Sequence, residues 1–297
     1  MSEDQSPELD GTVSWAALLA ETRQILESCG VSENPRQEAK WILEEVTGTH
    51  GAEFVDAMEG LATVRGVNKL DSMVARRRAG EPIQYVLGHW AFRNLDLLVD
   101  SRVLIPRPET EVITGLALDE LDRIAADRAT VVDLGTGSGA IGLSIAMERP
   151  GAQVWLTDAH EEAICVARAN LVGLGIQGGN VRITHGSWFE AVPAELAGQI
   201  DVIVSNPPYV PSSDVLPDAV KDWEPQTALI SGDDGLDDLR VIVSEATTWL
   251  RPGGALVLEM ASGQVETVAA LASEVGYQVR THTDYAGLDR GLVAQWE

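Results

Sequence analysis

A doubly wound α/β sheet with a smaller N-terminal helical domain is the fold class this sequence predicts, on three observations. Apolar residues recur at helical spacing from residue 12 to about residue 80. From Thr130 onward short apolar runs alternate with helical stretches, which implies parallel strands joined by right-handed crossovers. The segment Asp133-Leu134-Gly135-Thr136-Gly137-Ser138-Gly139 follows the first of those runs, where a strand must turn sharply into a helix. The 297 residues, at roughly 150 per domain, also suggest two domains.

In the N-terminal part, Trp15, Leu18, Leu19, Ile25 and Leu26, then Ala39, Trp41, Ile42, Leu43 and Val46, mark helices on either side of a Ser32-Glu33-Asn34-Pro35 turn. Gly80-Glu81-Pro82 breaks that pattern. The apolar runs Ile83 to Leu87 and Leu95 to Val99, around Arg93-Asn94, predict a β-hairpin linker. A helix is expected from about Glu109 to Ala126. Strands are expected at 131–134, 154–158, 180–185, 200–205, 255–259, 277–283 and 291–296. The intervening helices are placed at 139–148, 160–172, 236–250 and 262–275. The expected organisation is thus a helical domain over 1–80, a hairpin linker over 81–108 and the main domain over 109–297.

Composition narrows the function classes. Hydrophobic residues make up 45% of the chain, so there is ample material for a core. No run approaches the ~20 apolar residues of a membrane span. The acidic opening MSEDQSPELDG is unlike a secretory leader. Cys29 and Cys165 stand 136 positions apart, which argues against a disulfide framework or a thiolate metal site. A cytoplasmic protein is expected, acting as a monomer without a metal. The formal net charge is −25, with 14 acids against 8 bases in residues 1–80 and only three lysines in all. Tight binding to a phosphate backbone needs Lys and Arg, so direct nucleic-acid binding is not expected. The trio Arg76-Arg77-Arg78 reads as a solvated helix face.

The glycine segment carries the first chemical signal. Glycines there let the backbone approach a ligand, and the following helix presents oriented N–H groups. Asp158 ends the second strand of the main domain, 25 positions after Asp133, where an acid can accept both ribose hydroxyls of an adenosine ligand. Gly135, Gly137 and Ala140 also satisfy a dinucleotide fingerprint, so the glycines alone do not decide the cofactor. Asp133 directly before the loop suits a ligand with an ammonium and a sulfonium, and would be awkward beside a pyrophosphate. S-Adenosyl-L-methionine is the expected cofactor.

The second signal is Asn206-Pro207-Pro208-Tyr209, after the expected strand 200–205 and at the same carboxyl edge of the sheet. Two prolines make a stiff turn with exposed carbonyls. The Asn206 side-chain oxygen and the Pro207 carbonyl can accept both hydrogens of one planar NH₂ group, and Tyr209 can stack on the group that carries it. An amide nitrogen is a poor nucleophile because its lone pair is delocalised. Acceptors out of the NH₂ plane favour a pyramidal nitrogen and stabilise the charge that develops during attack.

With both motifs placed, the sequence resembles the PrmC/HemK family, the protein-(glutamine-N5) methyltransferases of peptide chain release factors. The likeness runs from about residue 80. It rests on Gly80 to Tyr85, Val103 to Glu111, the glycine loop, Asp158, Trp188-Phe189 and Asn206 to Tyr209, then on Glu224-Pro225, Asp234-Gly235-Leu236, Glu259 with Gln264, and Asp284 to Arg290. Residues 1–79 match only in being a helical domain of suitable size. The resemblance implies a Rossmann-like class I S-adenosylmethionine methyltransferase sheet. It also implies methyl transfer to the glutamine of the Gly-Gly-Gln loop of class-I release factors, the expected partner. Cofactor binding falls to Gly135, Thr136, Gly137, Ser138, Gly139, Asp158, Trp188 and Asn206. Substrate binding falls to Asn206, Pro207, Pro208 and Tyr209, with Asn206, Pro207 and Tyr209 as the catalytic set.

Several alternatives stay open at this stage. Trp188 is expected on the adenine, with core packing as the other reading. Arg107 and Glu109 suit a structural ion pair as well as substrate contact. The acids between 212 and 240 read as a solvated loop or as a steering surface for a basic partner. Ser187, Asn94 and Met260-Ala261 depart from the family pattern, and Ser187 leaves the adenine contact in doubt. A methyltransferase for an exocyclic amino group of adenine or cytosine is the second functional reading. A non-catalytic binding module is the third. The helical domain, from its position alone, is expected to dock the substrate.

Overall fold

A computed structural model describes residues 12–125 and 128–297. The opening segment through Gly11 and the expected helix end at Ala126 lie outside the described residues. The chain divides into two compact units, Met1–Gly88 and His89–Glu297.

The first unit is helical: α1 (Trp15–Cys29), α2 (Pro35–Thr47), α3 (Gly51–Ala57), α4 (Val64–Arg78) and α5 (Ile83–Leu87). The helices begin where the sequence offers caps. Ser14 and Asn34 accept backbone N–H bonds from Ala17 and Gln37, and Pro35 occupies the first helical position. Gly30 and Gly48 end α1 and α2 in the left-handed conformation. Trp15, Leu18, Leu26, Ile42, Leu43, Leu70 and Met73 form the core.

Two expectations are corrected in this unit. Ile83 to Leu87 is a helical turn, not a hairpin strand, because Ile83 and Val86 place their side chains in the helical core at i and i+3 spacing. The hairpin is instead β1 (His89–Phe92) with β2 (Leu95–Leu98), and the boundary between units falls at Gly88. Nor is Arg77 on a solvated face. It is buried and pairs with buried Glu38 at 2.7 Å, while Arg76 bonds Glu81 and the carbonyls of Tyr85 and Val86.

The second unit adds α6 (Pro108–Ile124), β3 (Thr130–Leu134), α7 (Ala140–Glu148), β4 (Gln153–Asp158), α8 (Glu161–Gly173), β5 (Val181–His185) and β6 (Ile200–Ser205). It continues with α9 (Asp218–Lys221), α10 (Asp237–Trp249), β7 (Leu250–Glu259), α11 (Val265–Val275), β8 (Gln278–Thr283) and β9 (Asp289–Gln295). The seven-stranded sheet runs β5-β4-β3-β6-β7-β9-β8, parallel except for β9. Strand β7 starts five residues before the expected run, with a register shift against β6 near Ile200. Val132, Leu134, Ile203, Leu256 and Leu258 pack under α10 and α11. Their neighbours in sequence face α6 and α7, so both sides of the central strands are apolar.

The hairpin turn at Arg93 has φ 49°, a conformation a side chain rarely adopts. The Arg93 amide donates to Glu111, and its guanidinium spans both oxygens of Glu148, which holds the turn. Among the described residues no helix is long and apolar enough to cross a membrane.

Removing one partner of the Arg77–Glu38 pair leaves a buried charge uncompensated. Glu38→Ala is expected to lower stability by about 3 kcal/mol, read from urea unfolding. A change near zero would mean that Arg77 reaches water.

Candidate functional site

Strands β3, β4 and β6 end at one edge of the sheet, and a cavity of about 510 Å³ opens there. This volume lies in the range of small-molecule sites, about 300–1,000 Å³. Gly135, Thr136, Gly137, Ser138, Asp158, Trp188, Asn206 and Pro208 all line it. Gly139, Pro207 and Tyr209 do not. The two motifs, some seventy residues apart in sequence, therefore share one wall.

The glycine loop is built from below by Asp133. This carboxylate is fully buried, and its Oδ2 accepts from the Thr136 hydroxyl (2.6 Å) and the Gly142 amide (2.9 Å). It thereby joins the loop to the first turn of α7. Its Oδ1 is buried with no partner among the described residues. Burial pushes the carboxyl up to about 6; the two hydrogen bonds oppose the rise, and the nearby Asp158 charge adds to it. Gly139 serves packing: its φ is +88°, and a Cβ would lie 2.7 Å from Leu143.

Asp158 closes the far side of the loop. One of its oxygens accepts from the Gly137 amide and the other from the His160 amide, both at 2.9 Å. Each oxygen keeps a further lone pair for a hydroxyl. Trp188 stands over Gly135, where a Cβ would come within 3.3 Å of the indole. The tryptophan has φ 42°, packs against the core under α10, and donates its indole N–H to Asp238 at 3.1 Å. Core packing and cavity lining thus both describe Trp188. Ser187 is exposed and lines the same cavity.

Asn206 leaves the end of β6. Its amide nitrogen donates to the Thr110 hydroxyl (3.2 Å), which donates to Glu259 Oε2 (2.7 Å). No donor among the described residues reaches the Asn206 amide oxygen or the Pro207 carbonyl. Tyr209 is half-buried. Its hydroxyl meets Glu259 Oε1 at 3.3 Å, its ring packs against the core, and burial raises its pKa. Its carbonyl accepts from Gln264 (2.8 Å). Gly235 must be glycine here, since a Cβ would lie 2.3 Å from that carbonyl. The corner is therefore braced by residues 26 and 55 positions downstream.

Thr110 and Arg107 fall in the family-like stretch Val103 to Glu111, but neither the role of Thr110, nor that of Asp238, nor the pairing of Arg107 is legible there. Arg107 lines the cavity and pairs with buried Glu224, which also accepts from the Ile105 amide. Glu109 is not its partner. Of the acids between 212 and 240, Glu224 is internal and Asp238 holds Trp188, while Asp234 and Asp237 pair with Arg240.

Comparison with known proteins identifies the family. The Methyltransferase small domain family matches residues 111–223, and the PrmC N-terminal domain family matches residues 17–88. The release factor glutamine methyltransferase of Gloeobacter violaceus is 40% identical over 276 residues, 91% of this chain and 94% of its own length. That of Pseudomonas aeruginosa is 44% identical over 77% of this chain and 80% of its own. The chain belongs to the release factor glutamine methyltransferase family. The likeness extends into the helical unit, beyond the limit near residue 80 expected from the motifs. The fold is also that of the T. thermophilus 16S rRNA N2 G1207 methyltransferase, solved with AdoMet and guanosine (TM-score 0.51, 20% identity, 70% of this chain and 50% of that one).

Asp133 is an electrostatic liability of this family member in its free form. Its folded pKa of about 6 exceeds the ordinary carboxylate value, so native protein binds a proton that unfolded chain has released, and stability falls as pH rises from about 4 to 6. Asp133→Asn keeps an acceptor for Thr136 and Gly142. It is expected to stabilise the ligand-free protein by up to about 3 kcal/mol at pH 8, and the gain should vanish below pH ~4. Urea titrations at several pH values check this; a gain independent of pH would contradict it.

Proposed function

We propose that this protein transfers the methyl group of S-adenosyl-L-methionine to the side-chain amide nitrogen of the glutamine in the Gly-Gly-Gln loop of class-I peptide chain release factors. The observation that carries the reading is the Asn206 amide oxygen. Asn206 lines the same cavity as the glycine loop, its amide nitrogen is committed to Thr110, and its oxygen has no donor among the described residues.

The residues present fit the cofactor. Asp158 offers a lone pair on each oxygen to the ribose hydroxyls, and Trp188 gives a flat wall for the adenine. The unpartnered Asp133 oxygen beneath the loop places negative potential where the cationic methionyl end would lie. When bound, the cofactor supplies a methyl carbon on a cationic sulfur: the carbon–sulfur bond breaks with its electron pair kept on sulfur, a bond to the glutamine nitrogen forms, and one amide proton is released to water.

The protein's own part is positioning and electrostatics. The Asn206 oxygen and the Pro207 carbonyl accept the two N–H bonds of the glutamine amide and hold its nitrogen toward the donor side of the cavity. As positive charge builds on nitrogen during attack, both acceptors strengthen. Pro208 stiffens the corner. Tyr209 supports it from the core side through Glu259. Residues up to Gly88 are assigned to docking the release factor. The reading carries a cytoplasmic location and a single chain as the working unit.

Incubation with methyl-labelled cofactor and either a release factor or nucleic acid tests the assignment. Label is expected on the release-factor glutamine; label in nucleic acid alone would sink it in favour of an exocyclic amino acceptor. Asn206→Ala should keep cofactor affinity and lose about 10²–10³-fold in kcat. Asp158→Ala removes charge-assisted bonds worth about 1.5–3 kcal/mol, so cofactor affinity should fall at least tenfold by calorimetry. An unchanged Kd would remove Asp158 from the site.

A further inference from the structure

One buried acid next to the substrate corner has no place in the chemistry above. Glu259 ends β7, is 1% exposed, and does not itself line the cavity, although Thr110, to which it is bonded, does. We propose that Glu259 is a positioning residue, which through the Thr110 hydroxyl holds the Asn206 amide in the one orientation able to accept a substrate N–H, so that turnover requires Glu259 ionised. The inference rests on the functional reading given above.

The number of protons available fixes the direction of each bond. Thr110 has one hydroxyl proton, and the ionised carboxylate takes it through the 2.7 Å bond to Oε2. The hydroxyl oxygen can then only accept. It accepts from Asn206, which turns the amide NH₂ toward Thr110 and leaves the amide oxygen for the ligand side. A protonated Glu259 can donate to Thr110 instead. The Thr110 proton is then released toward Asn206 and favours the amide flipped end for end. That flip presents an NH₂ group to the substrate NH₂, two donors face to face.

The surroundings make this proton labile near neutrality. Thr110 from α6 and Tyr209 from the corner after β6 touch the carboxylate, and the charges of Glu109 on α6 and Arg290 on β9 act on it. Burial is the largest influence and pushes Glu259 up to about 7, with Glu109 adding to it; the Thr110 and Tyr209 bonds and the Arg290 charge pull it down. Arg290 is already paired with Asp284 and does not form a salt bridge to Glu259. The ionised form is the active one, so turnover is lost as pH falls.

The test is kcat for methyl transfer to a release factor, at saturating cofactor and acceptor, from about pH 5.5 to 9. Wild type is expected to lose about tenfold per pH unit below an apparent pKa near 7. Glu259→Gln, which cannot titrate, should show no such limb. Thr110→Val should bind cofactor with unchanged affinity, which reports an intact fold, yet lose about 100-fold in kcat and lose the limb as well. Thr110→Ser keeps the hydroxyl and should keep the limb. A limb that survives in Glu259→Gln or in Thr110→Val, or wild-type kcat in Thr110→Val, overturns the inference and leaves the functional reading standing. A wild-type protein with no transfer at pH 8 overturns that reading and this one with it.

Discussion

The single proton of the Thr110 hydroxyl governs what the rest of the site can do. An asparagine amide has a donor end and an acceptor end of nearly equal shape, and packing alone distinguishes them poorly. Only a hydrogen-bond partner with a fixed role can choose. Here the choice passes from a carboxylate at the end of β7, through a threonine in the first turn of α6, to the residue that follows β6. Thr110 and Glu259 are 149 positions apart, and only the parallel sheet, which gathers the ends of β3, β4, β6 and β7 on one edge, brings them into contact. The Gln264 and Gly235 brace on Tyr209 serves the same end, because the corner must not rotate if one amide is to point reliably.

The cofactor side of the cavity follows a different logic. There the polypeptide keeps negative groups without counter-ions: Asp133 is buried with one unpartnered oxygen, and both oxygens of Asp158 are held only by backbone amides. Such an arrangement is costly in the free protein and favourable once a cation sits above it. Trp188 holds a left-handed backbone conformation, unusual for so bulky a residue, and its indole is pinned by Asp238. Local strain there accompanies a wall placed over Gly135. Glycines at 135 and 139 act for separate reasons, one to admit the indole and the other to admit Leu143.

Much of this was legible in the sequence because its signals were local. Strand, glycine turn and helix succeed one another within Val131 to Glu148, and the Asn-Pro-Pro-Tyr corner follows an apolar run, so the sequence alone places both motifs on one sheet edge. Features that depend on tertiary contact were not legible. Ile83 to Leu87 reads as an apolar run of strand length, and only its packing on the helical core makes it a helix. Arg77 sits in a basic trio that looks solvated, yet Glu38, 39 positions earlier, draws it inside. Tyr209 carries an aromatic ring suited to stacking, but its hydroxyl finds Glu259 on the core side. The roles of Thr110 and Asp238 have no spacing rule to announce them, since each acts across a gap set by the fold.

The charge pattern also changes meaning with the fold. Several acids after the corner are structural: Glu224 anchors Arg107 and the Ile105 amide, and Asp238 anchors Trp188. The account stands or falls on the orientation of one amide, and neutron diffraction from deuterated crystals grown near pH 8 observes it directly. The account predicts two deuterons on the Asn206 atom nearest Thr110, the Thr110 deuteron directed at Glu259, and bare oxygen toward the cavity. Deuterons on the cavity side of Asn206, with Thr110 donating to its oxygen, would contradict it.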